Sequence, residues 1–102
     1  MLFTVTAKHI EVPEAVKKHV KEKTSKLPRY YNGINQVEVV IDGGPKDNVN
    51  VEIIARGEHN KVFVVNETDS DAYRCIDSAV RKLEEQLRRK KTRERNNKHT
   101  SV

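Results

Sequence analysis

The segment that most constrains this chain is Asp71 to Lys91, reading DAYRCIDSAVRKLEEQLRRKK. Ala72, Ile76, Ala79, Val80, Leu83 and Leu87 recur there at three-and-four spacing, which puts them on one face of an α-helix. A helix with one apolar stripe has to lay it on another layer, so the rest of the chain must supply that surface. At 100° per residue, Lys82, Gln86 and Arg89 run along one flank of the stripe. Past Leu87 the apolar residues stop and Arg88, Arg89, Lys90 and Lys91 follow. One element thus holds core, a candidate polar site and the exit into a charged segment.

The upstream sequence supplies strands and a second helix. Phe3, Val5 and Ala7 alternate with Thr4, Thr6 and Lys8, the pattern of a strand with one buried face. Pro13 and Glu14 suit the first turn of a helix whose stripe is Val12, Val16, Val20, Thr24, Leu27 and Tyr31. Pro28 predicts a stop or kink near Leu27, because proline removes a helical hydrogen bond and disfavours helical geometry in its predecessor. Ile34–Asp42 alternates cleanly, with Val37, Val39 and Ile41 on one side and Gln36, Glu38, Val40 and Asp42 on the other. A loop GGPKDN, a strand with Val49, Val51, Ile53 and Ala55 inward, a connection RGEHNK and a strand KVFVVN follow. Ser70 or Asp71 is placed to cap the last helix.

The order β-α-β-β-β-α predicts an α+β fold. It is a two-layer sandwich: a four-stranded mixed sheet with both helices on one face. The first β-α-β connection is expected to be right-handed with its strands parallel. The open face would carry Glu38, Asp42, Asn50 and Glu52 and so be acidic. The domain is expected to span 1–91, with a basic disordered tail over 92–102 where apolar periodicity is lost.

Charge is segregated along the chain. Residues 13–29 carry six bases against two acids, residues 30–70 three against seven, and residues 88–102 seven against one, within a net charge of +5. An acidic middle between two basic segments implies a polyanionic partner met by a particular face. The strands hold Phe3 and Phe63 as their only aromatics, so base stacking on an acidic open sheet is disfavoured and the helical side is the candidate surface. Lys23, Lys26 and Arg29 make one basic flank, which reads either as solvated surface or, near the edge of the apolar stripe, as snorkelling cations along a seam. Lys82, Gln86 and Arg89 make the other, with Glu84 and Glu85 close by. If the two flanks face each other across the interhelical groove, they form a clamp.

Other classes are disfavoured. His9, His19, His59 and His99 lack metal-ligand spacing, and Gly43-Gly44-Pro45 lacks the phosphate-loop pattern. Cys75, the single cysteine, reads as a small hydrophobe on a helix flank and excludes an intramolecular disulfide. No nucleophile–base pair emerges, so the chain is expected not to be an enzyme, and to need no cofactor, metal or small-molecule substrate. The first residues lack a leader pattern and no stretch approaches membrane-spanning length, so a cytoplasmic protein with no membrane partner is expected.

Several pieces together resemble the ribosome hibernation promoting factor and ribosome-associated inhibitor family. They are Thr4-Val5-Thr6-Ala7-Lys8; Val16, Lys17, His19, Val20, Lys23, Lys26 and Leu27; Ile34-Asn35-Gln36-Val37; and Asp71-Ala72-Tyr73 with Ile76-Asp77, Lys82-Leu83 and Gln86-Leu87. The similarity spans about Leu2 to Lys91. It implies a fold related in shape to double-stranded RNA-binding domains and a seat in the decoding region of the small ribosomal subunit, where mRNA and tRNA are blocked under stress or in stationary phase. Carried over, the residues meeting ribosomal RNA are Lys23, Lys26, Arg29, Lys82, Gln86 and Arg89, with Lys90 beside them. The protein is expected to be a monomer off the ribosome. Pro28, Ala72 and Arg74-Cys75 depart from the family's usual residues, the inhibitor branch has an acidic tail where this one is basic, and the dimerisation domain of long members is not expected to fit. A general double-stranded RNA-binding or RNA-chaperone module is the alternative.

Overall fold

The structure, a computed structural model, describes residues 1–44 and 46–100, with side chains up to Glu94. Its elements are β1 (Leu2–Lys8), α1 (Glu14–Thr24), a 3-10 turn (Leu27–Arg29), β2 (Ile34–Gly43), β3 (Val49–Gly57), β4 (Val62–Asp69) and α2 (Ala72–Thr100). The strands form one sheet in the order β1-β2-β3-β4, with β1 parallel to β2 and the remaining pairs antiparallel. This is the expected two-layer α+β sandwich.

Strand alternation decides the layers. Val37, Val39, Ile41, Val51, Ile53, Ala55, Phe63 and Val65 are buried under the helices, whereas Gln36, Glu38, Val40, Asp42, Glu52 and Ile54 sit on the other face. On that open face the Arg56 guanidinium meets Glu38 at 3.1 Å and the Asn66 amide donates to Glu52. Gly43 ends β2 beside the end of β1, where a Cβ would stand 2.5 Å from the His9 carbonyl oxygen. A side chain there would force the two strand ends apart.

The helix layer fills the covered face. From α2, Cys75, Ile76, Ala79, Val80, Leu83 and Leu87 are buried, and α1 adds Val16, Val20 and Thr24. α2 starts where Asp71 accepts the Arg74 backbone N–H at 3.2 Å, an N-cap contact to the third helical residue. α1 ends at Thr24, three residues before the expected stop. The chain keeps turning with tighter i→i+3 bonds through Pro28, and Leu27 and Tyr31 still reach the core from the turn. Arg29 therefore stands on this turn and not on α1.

Two further expectations are corrected. α2 runs past Lys91 to Thr100, so the residues from 92 onward do not begin a disordered tail. Glu94 accepts the Tyr31 hydroxyl at 2.9 Å and pairs with Lys61 at 3.4 Å, tying this extension to the end of the sheet. Residues 101 and 102 lie outside the described residues. The β1-α1-β2 crossover is also left-handed. α2 runs antiparallel to β4 and parallel to α1; its Asp77 flank meets α1, while its Gln86 flank, 180° away on the wheel, meets β4. For a right-handed helix viewed from its N-terminus, that sequence of β4, sheet and α1 is clockwise, and it places β2 to the left of β1 when seen from the helices. The usual right-handed unit would reverse it.

Two outcomes follow for stability. Truncating the fully buried Leu87 to alanine should cost about 2–5 kcal/mol in urea-denaturation experiments. The Glu94 carboxyl is held below its ordinary range first by the Tyr31 hydrogen bond and then by Lys61, while burial, then Glu94, raise the Tyr31 phenol. A depressed carboxylate contributes stability above its unfolded titration range and loses it as pH falls through the folded one. The raised phenol contributes below its unfolded range and loses that as pH climbs. Glu94→Gln should flatten the acid limb of a stability–pH profile, and Tyr31→Phe the alkaline limb.

Candidate functional site

The seven residues singled out in the sequence fall in four places. Lys23 and Lys26 project from α1 and the following turn into a cleft of 260 Å³ whose other lining is Tyr30, Asp77, Val80, Arg81 and Glu84. The cleft forms because α1 ends at Thr24 and the tighter turn carries Lys26 and Tyr30 across toward α2. Arg29 is exposed on the same turn. Upstream in the same interhelical seam, His19 and Asp77 meet at 2.7 Å and the Tyr73 ring packs edge-on to His19, centroids 5.1 Å apart. This contact fixes the spacing of the helices above the cleft.

Lys82 and Gln86 are on the opposite flank. The Lys82 ammonium donates to Glu67 at 2.8 Å, and the Gln86 amide donates to the Val64 carbonyl at 3.4 Å, both on β4. They cover the edge of the sheet, where an exposed strand would otherwise offer its backbone to another chain. Arg89 is exposed between the flanks and pairs with Glu85 at 2.6 Å, one turn back. Lys90 lies on the core side of α2, 4.0 Å from Glu94. The clamp of facing flanks does not form, and Lys82, Gln86 and Arg89 do not enter the interhelical groove.

What lies across the seam from Lys23, Lys26 and Tyr30 is a pair outside those seven, Arg81 and Arg88. Arg81 lines the cleft, and the Arg88 guanidinium carbon sits 5.5 Å from the centroid of the Tyr30 ring, a cation–π contact that orients it toward the turn. Their seven-residue spacing, shared with Asp77 and Glu84, was the available signal; it marks the other flank of the same stripe. Among the described residues, Lys18, Lys21, Lys23, Lys26, Arg29, Arg81 and Arg88 have no carboxylate at ion-pair distance, whereas Lys82, Arg89 and Lys90 each have one. Of these, Lys23, Lys26, Arg81 and Arg88 lie around the α1–α2 seam, and unpaired cations gathered on one surface are available to an anionic partner. Asp77, engaged by His19, and Glu84 are the acids within the cleft and temper its field.

The surface has little other chemistry. Cys75 is fully buried with its thiol against the Glu67 and Val49 carbonyls, and burial first of all pushes its pKa up, away from nucleophilic use. Among the described residues no group of three His, Cys, Asp or Glu side chains could hold a metal ion, and no helix is long and apolar enough to cross a membrane.

Comparison with known proteins bears on the same residues. A model of the Sigma 54 modulation protein / S30EA ribosomal protein family matches residues 3–95. A ribosome hibernation promotion factor of Bacillus subtilis is 31% identical over 102 residues, and one of Lactococcus lactis 30% over 95; these cover 91% and 89% of this chain. The chain spans 50% of the length of each of these two. A ribosome hibernation promoting factor of Acidithiobacillus ferridurans is 30% identical over 78 residues, 76% of this chain and 100% of that protein. Among solved structures, the N-terminal domain of Thermus thermophilus Protein Y superposes with a TM-score of 0.77 at 30% identity, covering 87% of this chain and 98% of that one. A Coxiella burnetii ribosomal subunit interface protein, at 19% identity, shares the fold with a TM-score of 0.78 over 90% of this chain and 99% of that one. The chain belongs to the Sigma 54 modulation protein / S30EA ribosomal protein family.

Proposed function

We propose that this chain is a cytoplasmic ribosome-binding hibernation factor that occupies the decoding region of the small ribosomal subunit and blocks mRNA and tRNA there. The names carried by its relatives support the ribosome as partner. The observation that carries the binding mode is the set of unpaired cations around the α1–α2 seam, against an open sheet face on which Glu38, Asp42 and Glu52 stand. Phosphate contacts of this kind position a protein without reading sequence, which suits a factor that works by occlusion. No bond is made or broken, and no cofactor is required. The free protein acts as a monomer.

Within this reading the seven residues divide. Lys23, Lys26 and Arg29 contact ribosomal RNA phosphates, joined by Arg81 and Arg88. Arg89, exposed and released from Glu85 at little cost, is a secondary contact, because such surface pairs are worth only about 0–1 kcal/mol. Lys90 reaches RNA only by leaving Glu94, and Lys82 and Gln86 by leaving β4.

Sedimentation with purified small subunits over a salt series tests the reading. With about six phosphates contacted, log affinity should fall with log salt at a slope of roughly −4 to −5. Charge reversal of Lys23, Lys26, Arg81 and Arg88 together should weaken binding at least 100-fold and flatten that slope, whereas Lys82→Gln should change it less than threefold. mRNA with initiator tRNA should displace the protein. A salt-independent affinity, or equal transfer to any duplex RNA, would reject ribosome occlusion, the latter in favour of a general double-stranded RNA-binding module.

A further inference from the structure

The two edges of the sheet are treated differently. On the β4 side, Gln86 reaches the Val64 carbonyl and Lys82 bonds Glu67, so α2 side chains overhang the strand. On the β1 side nothing among the described residues pairs with the outer edge, and β1 is half-buried at Phe3 and Val5 and exposed elsewhere. Beside it lies an open groove of 730 Å³ between β1 and α1. Phe3 and Val5 form its apolar floor, and Lys17, Lys18 and Lys21 form its rim, with Glu14 at the end near Lys17. Lys18 and Lys21 have no carboxylate at ion-pair distance among the described residues.

The geometry points to a peptide-docking site: we infer that β1 accepts an extended, acidic and apolar protein segment as a fifth strand. Strand chirality fixes how it would sit. With β2 to the left of β1 seen from the helices, an L-residue whose side chain points to the helices turns its N–H and C=O to the right. The amides of Phe3, Val5 and Ala7 therefore face outward, and those of Thr4, Thr6 and Lys8 face β2. A segment paired on that edge alternates its side chains between the two sheet faces. Its helix-side residues enter the groove, an apolar one resting on Phe3 and Val5 and an Asp or Glu reaching the lysine rim. An apolar floor with in-plane backbone donors matches a polypeptide; an RNA backbone would use the rim and leave floor and edge unused. This site is separate from the Lys23–Arg81 cleft, which lies on the other side of α1.

The test uses the full chain and the synthetic octapeptide Val-Thr-Glu-Thr-Val-Thr-Glu-Thr, which sets valine and glutamate on one face of the strand, with a valine–lysine control in which lysine replaces each glutamate. Two-dimensional NMR should show the Val–Glu peptide shifting the β1 amides and slowing hydrogen exchange at Phe3, Val5 and Ala7 while Thr4 and Thr6 stay unchanged. The valine–lysine control should bind at least 10-fold more weakly. The exposed double variant K18E/K21E, folded by its own spectrum, should lose at least 10-fold in peptide affinity. Protection at Thr4 and Thr6 in place of Phe3, Val5 and Ala7 would overturn the inference. So would equal binding of both peptides, or shifts confined to the lysine rim and reproduced by a duplex RNA. Concentration-dependent protection of β1 without peptide, with a dimer in sedimentation, would replace the peptide by a second copy of the chain. Each readout is made without ribosomes, so failure here leaves the ribosome reading standing, and failure there leaves this one.

Discussion

The structure depends on burying one stripe of α2 against one face of the sheet. Ile76, Ala79, Leu83 and Leu87 are fully buried there over Ile53, Ala55, Phe63 and Val65. Burying a leucine or isoleucine side chain contributes about 1.5–3 kcal/mol relative to leaving it exposed, so slipping or rotating the helix would forfeit several such contributions at once. Rotation about the helix axis is thereby fixed, and with it the direction of every polar residue on α2. Asp77, Arg81, Glu84 and Arg88 are turned to α1; Lys82 and Gln86 are turned to β4. None of these placements is chosen by the polar residue itself.

That dependence explains what the sequence could and could not tell. Alternation through Val37–Ile41 and Val49–Ala55 separates inside from outside without ambiguity, because a one-residue slip would invert each strand. The stripe of α2 was equally legible. Its two flanks were not. A wheel gives them as mirror-related choices, and the choice is made by which side α1 occupies. A right-handed β1-α1-β2 unit would set α1 against Lys82 and Gln86; the left-handed unit sets it against Asp77, Arg81 and Arg88. The clamp inferred from the sequence takes one flank from each hand: the right-handed unit that set Lys82 and Gln86 against α1 would turn the Lys17 and Lys21 flank of α1 toward them and Lys23 and Lys26 away. Lys23 and Lys26 kept their place because they stand on the seam side of α1.

The end of α1 shows a second kind of limit. Thr24, Leu27 and Tyr31 continue the apolar period and are all buried, but the backbone between them changes from α to 3-10 geometry. Side-chain periodicity records which residues meet the core and is nearly blind to that change. The tail was misjudged for a related reason. Beyond Leu87 there is no apolar stripe to read, yet Glu94 is anchored by Tyr31 and Lys61, contacts that sequence separations of 63 and 33 residues conceal.

The acids of the open sheet face do not cancel the field at the helical seam, and the reason is thickness. Pairwise, Glu38 is matched by Arg56 and Asp42 by His9, so part of that face is neutralised locally when the histidine is charged. What remains acts across a body whose shortest extent is 19 Å, while screening at physiological salt has a length of about 8 Å. An anion approaching the seam therefore senses Lys23, Lys26, Arg81 and Arg88 far more than Glu52. Reversing the hand of the crossover would bring Lys82 and Gln86 into that seam and move Arg81 and Arg88 over the β4 edge. The basic seam is consequently a property of this particular topology: the same helices, with the same stripes buried, would present a different set of cations on the other hand.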